Sequence, residues 1–131
     1  MTKTLKSNDD WRTQLSDEQF RITRKHGTEP AWSNPLNQEK RNGTYSCVCC
    51  GALLFSSEAK YDSGSGWPSF FKPASEEAIS AHADGSLFMR RTEIRCAGCE
   101  AHLGHVFKDG PKPTGLRYCM NGTALKFTPE E

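Results

Sequence analysis

Six cysteines stand at positions 47, 49, 50, 96, 99 and 119, and their spacing divides them by the chemistry they can do. Cys47 and Cys50 form one Cys-x-x-Cys pair, and Cys96 and Cys99 form a second after 45 intervening residues. Each such turn sets two sulfurs on one side of a tight loop, and two turns together supply the four thiolates of a tetrahedral structural zinc site. Gly51 and Gly98 give the two turns backbone freedom. The spacing therefore predicts one structural zinc ion held by Cys47, Cys50, Cys96 and Cys99, tying together distant stretches of chain. Redox-active dithiols and buried inert thiols are the alternatives. A local site of Cys96, Cys99, His102 and His105 is another, but it leaves the first pair idle.

Cys119 belongs to neither pair. It lies in "GLRYCMN", where strand alternation puts Arg117, Cys119 and Asn121 on one face and Tyr118 and Met120 on the other. Only a few per cent of an ordinary thiol, with a pKa of about 8.5, is thiolate near pH 7, and the thiolate is the nucleophile. A cation within about 4–6 Å lowers such a pKa by about 1–3 units. Arg117 is expected to supply that cation and Asn121 a hydrogen bond; the plainer alternative is an inert cysteine in a half-covered strand. "AHLGHVFKDG" adds His102, His105 and Asp109, imidazoles and a carboxylate suited to moving protons near neutral pH, or to a structural role beside the metal. "YDSGSGWPSFF" sets Trp67 among Gly64, Gly66 and Pro68, a rigid turn that presents an indole. A nucleophilic sulfur, proton-handling imidazoles and an aromatic wall suit a substrate with a methyl group, a polarised sulfur and an oxygen that leaves as water. Methionine sulfoxide has all three.

The elements that must position these groups are short. Residues 1–14 are polar and expected to be a flexible segment; residues 15–128 are expected to form a single zinc-bearing domain. Ser16 and Gln19 make a capping box for a helix running to about His26, closed by Gly27. Residues 27–43, rich in Pro, Asn and Gly, read as a loop that wraps rather than packs. From Thr44 onward the pattern is β, in the runs "TYSCVC", "ALLF", "SLFMRRTEIRC", "GLRYCMN" and "ALKF", with Asp84-Gly85 expected as a hairpin turn. The expected class is mainly β, with small antiparallel sheets, a short N-terminal helix and a four-cysteine zinc site.

Composition narrows the function classes. Seventeen basic against 16 acidic residues give a formal charge of +1, which singles out neither nucleic acid nor an anionic membrane surface. No apolar run approaches the roughly 18 residues of a spanning helix, and the N-terminus has no export signal, so a reducing cytoplasmic setting is expected. Hydrophobic residues make up only 35% of the chain, so a metal cross-link would help the fold.

"GSGWPSFF", "RTEIRCAGCEAHLGHVFKDGPKPTGLRYCMN" and the two cysteine pairs resemble the B-type methionine sulfoxide reductases, over about residues 14–127. The resemblance implies a zinc-bearing β-tent of two antiparallel sheets and reduction of the R epimer of methionine sulfoxide in proteins. It implies that Cys119 attacks the sulfoxide sulfur, that Trp67 walls the methyl pocket, and that His102, His105, Asp109, Arg117 and Asn121 complete the site. The implied product is a sulfenic acid on Cys119, which thiols can reduce. Many members carry a recycling cysteine where this chain has Ser65. That departure leaves an external thiol such as thioredoxin, or the leftover Cys49, as the reductant of Cys119. A zinc-stabilised binding module and a general thiol–disulfide oxidoreductase are the competing readings.

Overall fold

The computed structural model describes residues 7–86 and 89–130. Two antiparallel sheets carry the fold. The smaller is ordered β2-β1-β9, with β1 (Gly43–Cys47), β2 (Leu53–Ser56) and β9 (Leu125–Pro129). The larger is ordered β3-β4-β8-β7-β6-β5, with β3 (Lys60–Tyr61), β4 (Ser69–Phe70), β5 (Ile79–Ser86), β6 (Met89–Cys96), β7 (His102–Phe107) and β8 (Arg117–Met120). The mainly β expectation with two antiparallel sheets holds.

Apolar positions at strand spacing account for the packing. Tyr45 of β1, Phe55 of β2 and Phe70 of β4 are buried together. Phe70 stacks on Phe55 at 4.4 Å between ring centroids and meets Tyr45 edge-on at 5.0 Å. These contacts join the two sheets, and aromatic pairs of this kind add about 0.5–1.5 kcal/mol beyond simple burial. Leu54, Ile94, Leu103 and Met120 are buried in the same core.

Helix α2 (Asp17–Arg24) begins at the expected capping box, with the Ser16 hydroxyl accepting from Gln19 N–H and the Gln19 side chain accepting from Ser16 N–H. It buries Phe20, Ile22 and Thr23. At its end the left-handed residue is His26, with φ of 57°, and Gly27 N–H donates to Arg21 carbonyl.

Two local expectations change. Residues 8–14, read as part of a flexible polar segment, form helix α1 (Asn8–Gln14) under a Ser7–Asp10 capping box. Trp11 is 1% exposed and lies under the Arg24 guanidinium at 4.1 Å. One large indole outweighs the polarity of its neighbours, which a seven-residue pattern conceals. Asp84 and Gly85 are not the hairpin turn: they pair with Arg91 and Arg90 inside the β5–β6 ladder, which runs on to the Ser86–Met89 pair. The ladder thereby gains three pairs beyond Ala83–Thr92, and paired strands satisfy backbone groups that a turn would leave to solvent.

Candidate functional site

Strand register brings the chemistry together. Cys119 on β8 is opposite Ser69 on β4 and His105 on β7; Ser69 in turn faces Tyr61, and His105 faces Glu93 on β6. Opposed residues share a face of the sheet. One row across the larger sheet therefore reads Tyr61, Ser69, Cys119, His105, Glu93.

A cavity of about 380 Å³ opens above this row, lined by Cys119, His105, Arg117, Asn121 and Trp67, with Ser65, Thr28, Arg91 and Phe107 among the other walls. Five of the seven expected non-cage residues thus meet in one place. Trp67 is aimed by its turn, where Gly64 and Gly66 take φ of 75° and 92°, and by its indole N–H, which donates to Glu29 carbonyl at 2.9 Å. With its polar edge anchored, the ring is left as an apolar wall.

Arg117 is held from two sides. Its guanidinium donates to both carboxylate oxygens of Asp109 at 2.9 and 3.2 Å and lies over the Phe107 ring at 4.5 Å. Asp109 is exposed and is held below the usual carboxylate range by Arg117. It therefore serves the arginine, not the histidines.

The expected activation of Cys119 takes a different form. Burial pushes its thiol above the ordinary value; the Ser65 hydroxyl and the Arg117 charge pull downward without overcoming it. Arg117 spends much of its charge on Asp109, and an apolar wall disfavours an anion. Nor does Asn121 donate to the thiol. It lies just past the end of β8, 3% exposed, with its amide nitrogen donating to Leu103 carbonyl and its oxygen accepting from Glu29 N–H. Asn121 braces the cavity floor.

His102 is buried beneath His105, with ring centroids 5.5 Å apart. Its carboxylate partner is Glu93, at 2.7 Å from Nδ1. Burial lowers the His102 pKa, so the neutral ring donates Nδ1–H to a carboxylate. Burial alone would raise Glu93, but Arg95 and His102 hold it down to about 2. His26 also reaches Glu93, at 2.8 Å. His26, Glu93 and His102 are close enough to hold a cation, yet Arg95 already neutralises that carboxylate at 2.9 Å.

Two residues escaped the sequence reading. Glu93 sits inside "RTEIRC" with no local mark of its role. Glu29 belongs to the stretch read as wrapping loop, yet it is 2% exposed. Its carboxylate accepts from Gly122 N–H, Thr123 N–H and the Thr123 hydroxyl, while its backbone holds both Trp67 and Asn121. A charged residue bracketed by Thr and Pro in "GTEPAW" was the only available signal.

The four paired cysteines form a separate cage. Cys47 and Cys99 sulfurs are 3.6 Å apart, and Cys50 and Cys96 sulfurs 3.5 Å. Tetrahedral bonds of about 2.3 Å to a common ion require roughly 3.8 Å between sulfurs, so the four fit a metal ion of this type. Hydrogen bonding to Cys47 holds Cys96 down to about 4 and Cys99 down to about 6, while the Cys47 thiol itself is pushed up. Its two loops are alike: Cys47 N–H donates to Ala52 carbonyl as Cys96 N–H does to Ala101. The left-handed residues are Gly51 and Glu100, at φ of 79° and 63°; the freedom expected of Gly98 is exercised two residues later. Since β1 and β6 belong to different sheets, the cage ties the sheets together. His102 belongs to the Glu93 network, so the local site with Cys96 and Cys99 does not form. Cys49 is buried and does not line the cavity.

Residues 15–129 match the SelR domain family. The whole chain is 56% identical over 131 residues to the peptide methionine sulfoxide reductase MsrB of Acinetobacter baumannii (strain AYE), covering 94% of that protein. It is 55% identical over the same length to the protein of that name from Pseudomonas aeruginosa (strain UCBPP-PA14), covering 99% of it. The chain belongs to the MsrB family. The Ser65 hydroxyl is 3.9 Å from the Cys119 sulfur. Among the described residues, no helix is long and apolar enough to cross a membrane.

Proposed function

We propose that this protein is an oxidoreductase that reduces the R epimer of methionine sulfoxide in proteins to methionine. The observation that carries the reading is the meeting of Cys119, His105, Arg117 and Trp67 around one cavity, supported by family membership. The S-methyl group packs against Trp67. His105, across the ladder from Cys119, takes the thiol proton as the substrate arrives, and the thiolate attacks the sulfoxide sulfur. The oxygen passes from the substrate sulfur to Cys119, giving methionine and a Cys119 sulfenic acid. Arg117, held by Asp109, supports the anionic sulfur; His102, neutral beneath His105, fixes its orientation and proton supply; Asn121 holds the floor.

A sulfenic acid is reversible by thiols. Two thiol equivalents, from a thioredoxin-like dithiol, return Cys119 to the thiol and leave as a disulfide and water. Cys49 is buried, with its thiol against Cys47 and Cys99 of the cage, which favours the external reductant over an internal one. Zinc in the cage of Cys47, Cys50, Cys96 and Cys99 supplies a cross-link between sheets and takes no part in the chemistry. A reducing cytoplasm suits both free thiols and this recycling.

The decisive experiment incubates the protein with each epimer of a methionine sulfoxide peptide and a dithiol reductant. Consumption of the R epimer alone, lost in Cys119→Ser with metal content retained, is the expected result. Equal consumption of both epimers, or turnover surviving in Cys119→Ser, would overturn the assignment.

A further inference from the structure

The turn that aims Trp67 also carries three serines whose hydroxyls run in a string to Cys119. Ser69 Oγ donates to Trp67 carbonyl at 3.0 Å, Ser63 Oγ is 2.7 Å from Ser69 Oγ, Ser65 Oγ is 2.8 Å from Ser63 Oγ, and Cys119 Sγ is 3.9 Å from Ser65 Oγ. Each hydroxyl has one hydrogen. A carbonyl can only accept, so the Ser69 hydrogen is spent on Trp67; Ser63 must then donate to Ser69, and Ser65 to Ser63. Three hydrogens fill three contacts. The fourth contact is filled only by the thiol hydrogen, donated from Cys119 to Ser65.

Removing that proton leaves a thiolate facing a lone pair unless the string turns round. Reversed, Ser69 donates to Ser63, Ser63 to Ser65 and Ser65 to the sulfur anion. The contact given up is Ser69 to Trp67 carbonyl, the longest of the three oxygen–oxygen contacts. We infer that Ser63, Ser65 and Ser69 form a reversible hydroxyl string that lets Ser65 accept from the Cys119 thiol at rest and donate to the thiolate during attack. Ser65 is then a catalytic residue in contact with the reacting sulfur, and Ser63 is a positioning residue acting through it. No covalent step is added: the thiol proton leaves to the pocket base and the hydroxyls only rotate.

This inference deepens the proposed reaction and rests on Cys119 being its nucleophile. The other groups facing the sulfur are Arg117 on β8 with Asp109 paired to it, His105 on β7, Arg91 from β6 and Tyr61 on β3. All of them stay in place in the serine variants, so they set the baseline of the titration and not the sign of the changes.

The signs are opposite for two neighbouring serines. In Ser65→Ala the thiolate loses its donor, and the midpoint for Cys119 rises. In Ser63→Ala the Ser65 hydrogen loses its acceptor and turns to the sulfur, so the midpoint falls. Each shift is about half to one pH unit, roughly a threefold to tenfold change in rate below the midpoint. Ser65→Thr keeps a hydroxyl and should restore the wild-type midpoint.

The measurement is the iodoacetamide alkylation rate of Cys119, followed by peptide mass across the neutral and alkaline range on the full-length, metal-loaded protein without sulfoxide. Opposite shifts with rescue by threonine are expected. Shifts of the same sign, or no shift in Ser63→Ala, would overturn the string. Because no sulfoxide is present, failure of the reductase assignment shows up separately in the epimer assay.

Discussion

The cage and the cavity put the same atom to opposite uses. In the cage, sulfurs from two sheets crowd to 3.5–3.6 Å and share negative charge that a cation can neutralise. In the cavity, Cys119 has hydroxyl, imidazole and guanidinium neighbours, and burial keeps it a thiol at rest. Loop geometry makes the first set, because two turns with matching backbone bonds present paired sulfurs. Strand register makes the second, because it sets Cys119 of β8 between Ser69 of β4 and His105 of β7. A cysteine's role here follows from what the fold places opposite it.

The sharpest way to break that contrast is to remove one sulfur from each region. Metal binding in four-thiolate sites contributes about 10–16 kcal/mol, comparable with the whole stability of a domain at about 5–15 kcal/mol. Cys96→Ser is therefore expected to lose metal and cooperative melting together, as read by metal analysis and circular dichroism. Cys119→Ser is expected to abolish R-sulfoxide turnover while shifting stability by no more than about 0.5 kcal/mol, as for substitutions outside the core. Equal melting losses in the two variants would erase the distinction.

Smaller effects sharpen it within the cavity. Glu29→Gln sets an amide N–H against Gly122 N–H, and an unsatisfied buried donor costs about 1–3 kcal/mol. The checks are thermal melting and a rise in KM larger than any change in Cys119 alkylation. Arg117→Ala removes a downward pull on the thiol and should raise the Cys119 midpoint by about one unit. An unchanged alkylation profile would show that Asp109 consumes the whole charge.

The smallest expected effect is on acid stability. The folded-state His102 pKa lies below 6.5, so the unfolded chain binds the proton more readily. The stability tied to its burial is full above 6.5 and declines as pH falls below it. Glu93 is depressed from 4.5 to about 2, and its contribution is lost later, as pH falls through that window. Melting temperature measured against pH should fall in two stages, and His102→Gln should remove the first.

Much of this architecture was legible in local order. The cage was readable from two spacings, because ligands on one turn are fixed by a few backbone angles. Helix α2 was readable from its capping box, and β1, β2, β6, β8 and β9 from runs of β-forming residues between turn residues. Strand β7 was harder, since "HLGHVF" mixes two histidines and a glycine among its apolar residues. Glu29 was illegible in principle from its neighbours: its partners Asn121 and Gly122 lie 92 and 93 residues away.

By itself the sequence determined which sulfurs pair, which cysteine stands alone with an arginine on its face, and which turn presents Trp67, because spacing and alternation act over a few residues. Only the tertiary structure decided that Glu93 serves His102 while Asp109 serves Arg117, that Asn121 is a brace, and that Ser65 is in contact with the reactive sulfur. Those outcomes depend on cross-strand register and on burial, which set local electrostatics over a few ångströms between residues far apart in the chain.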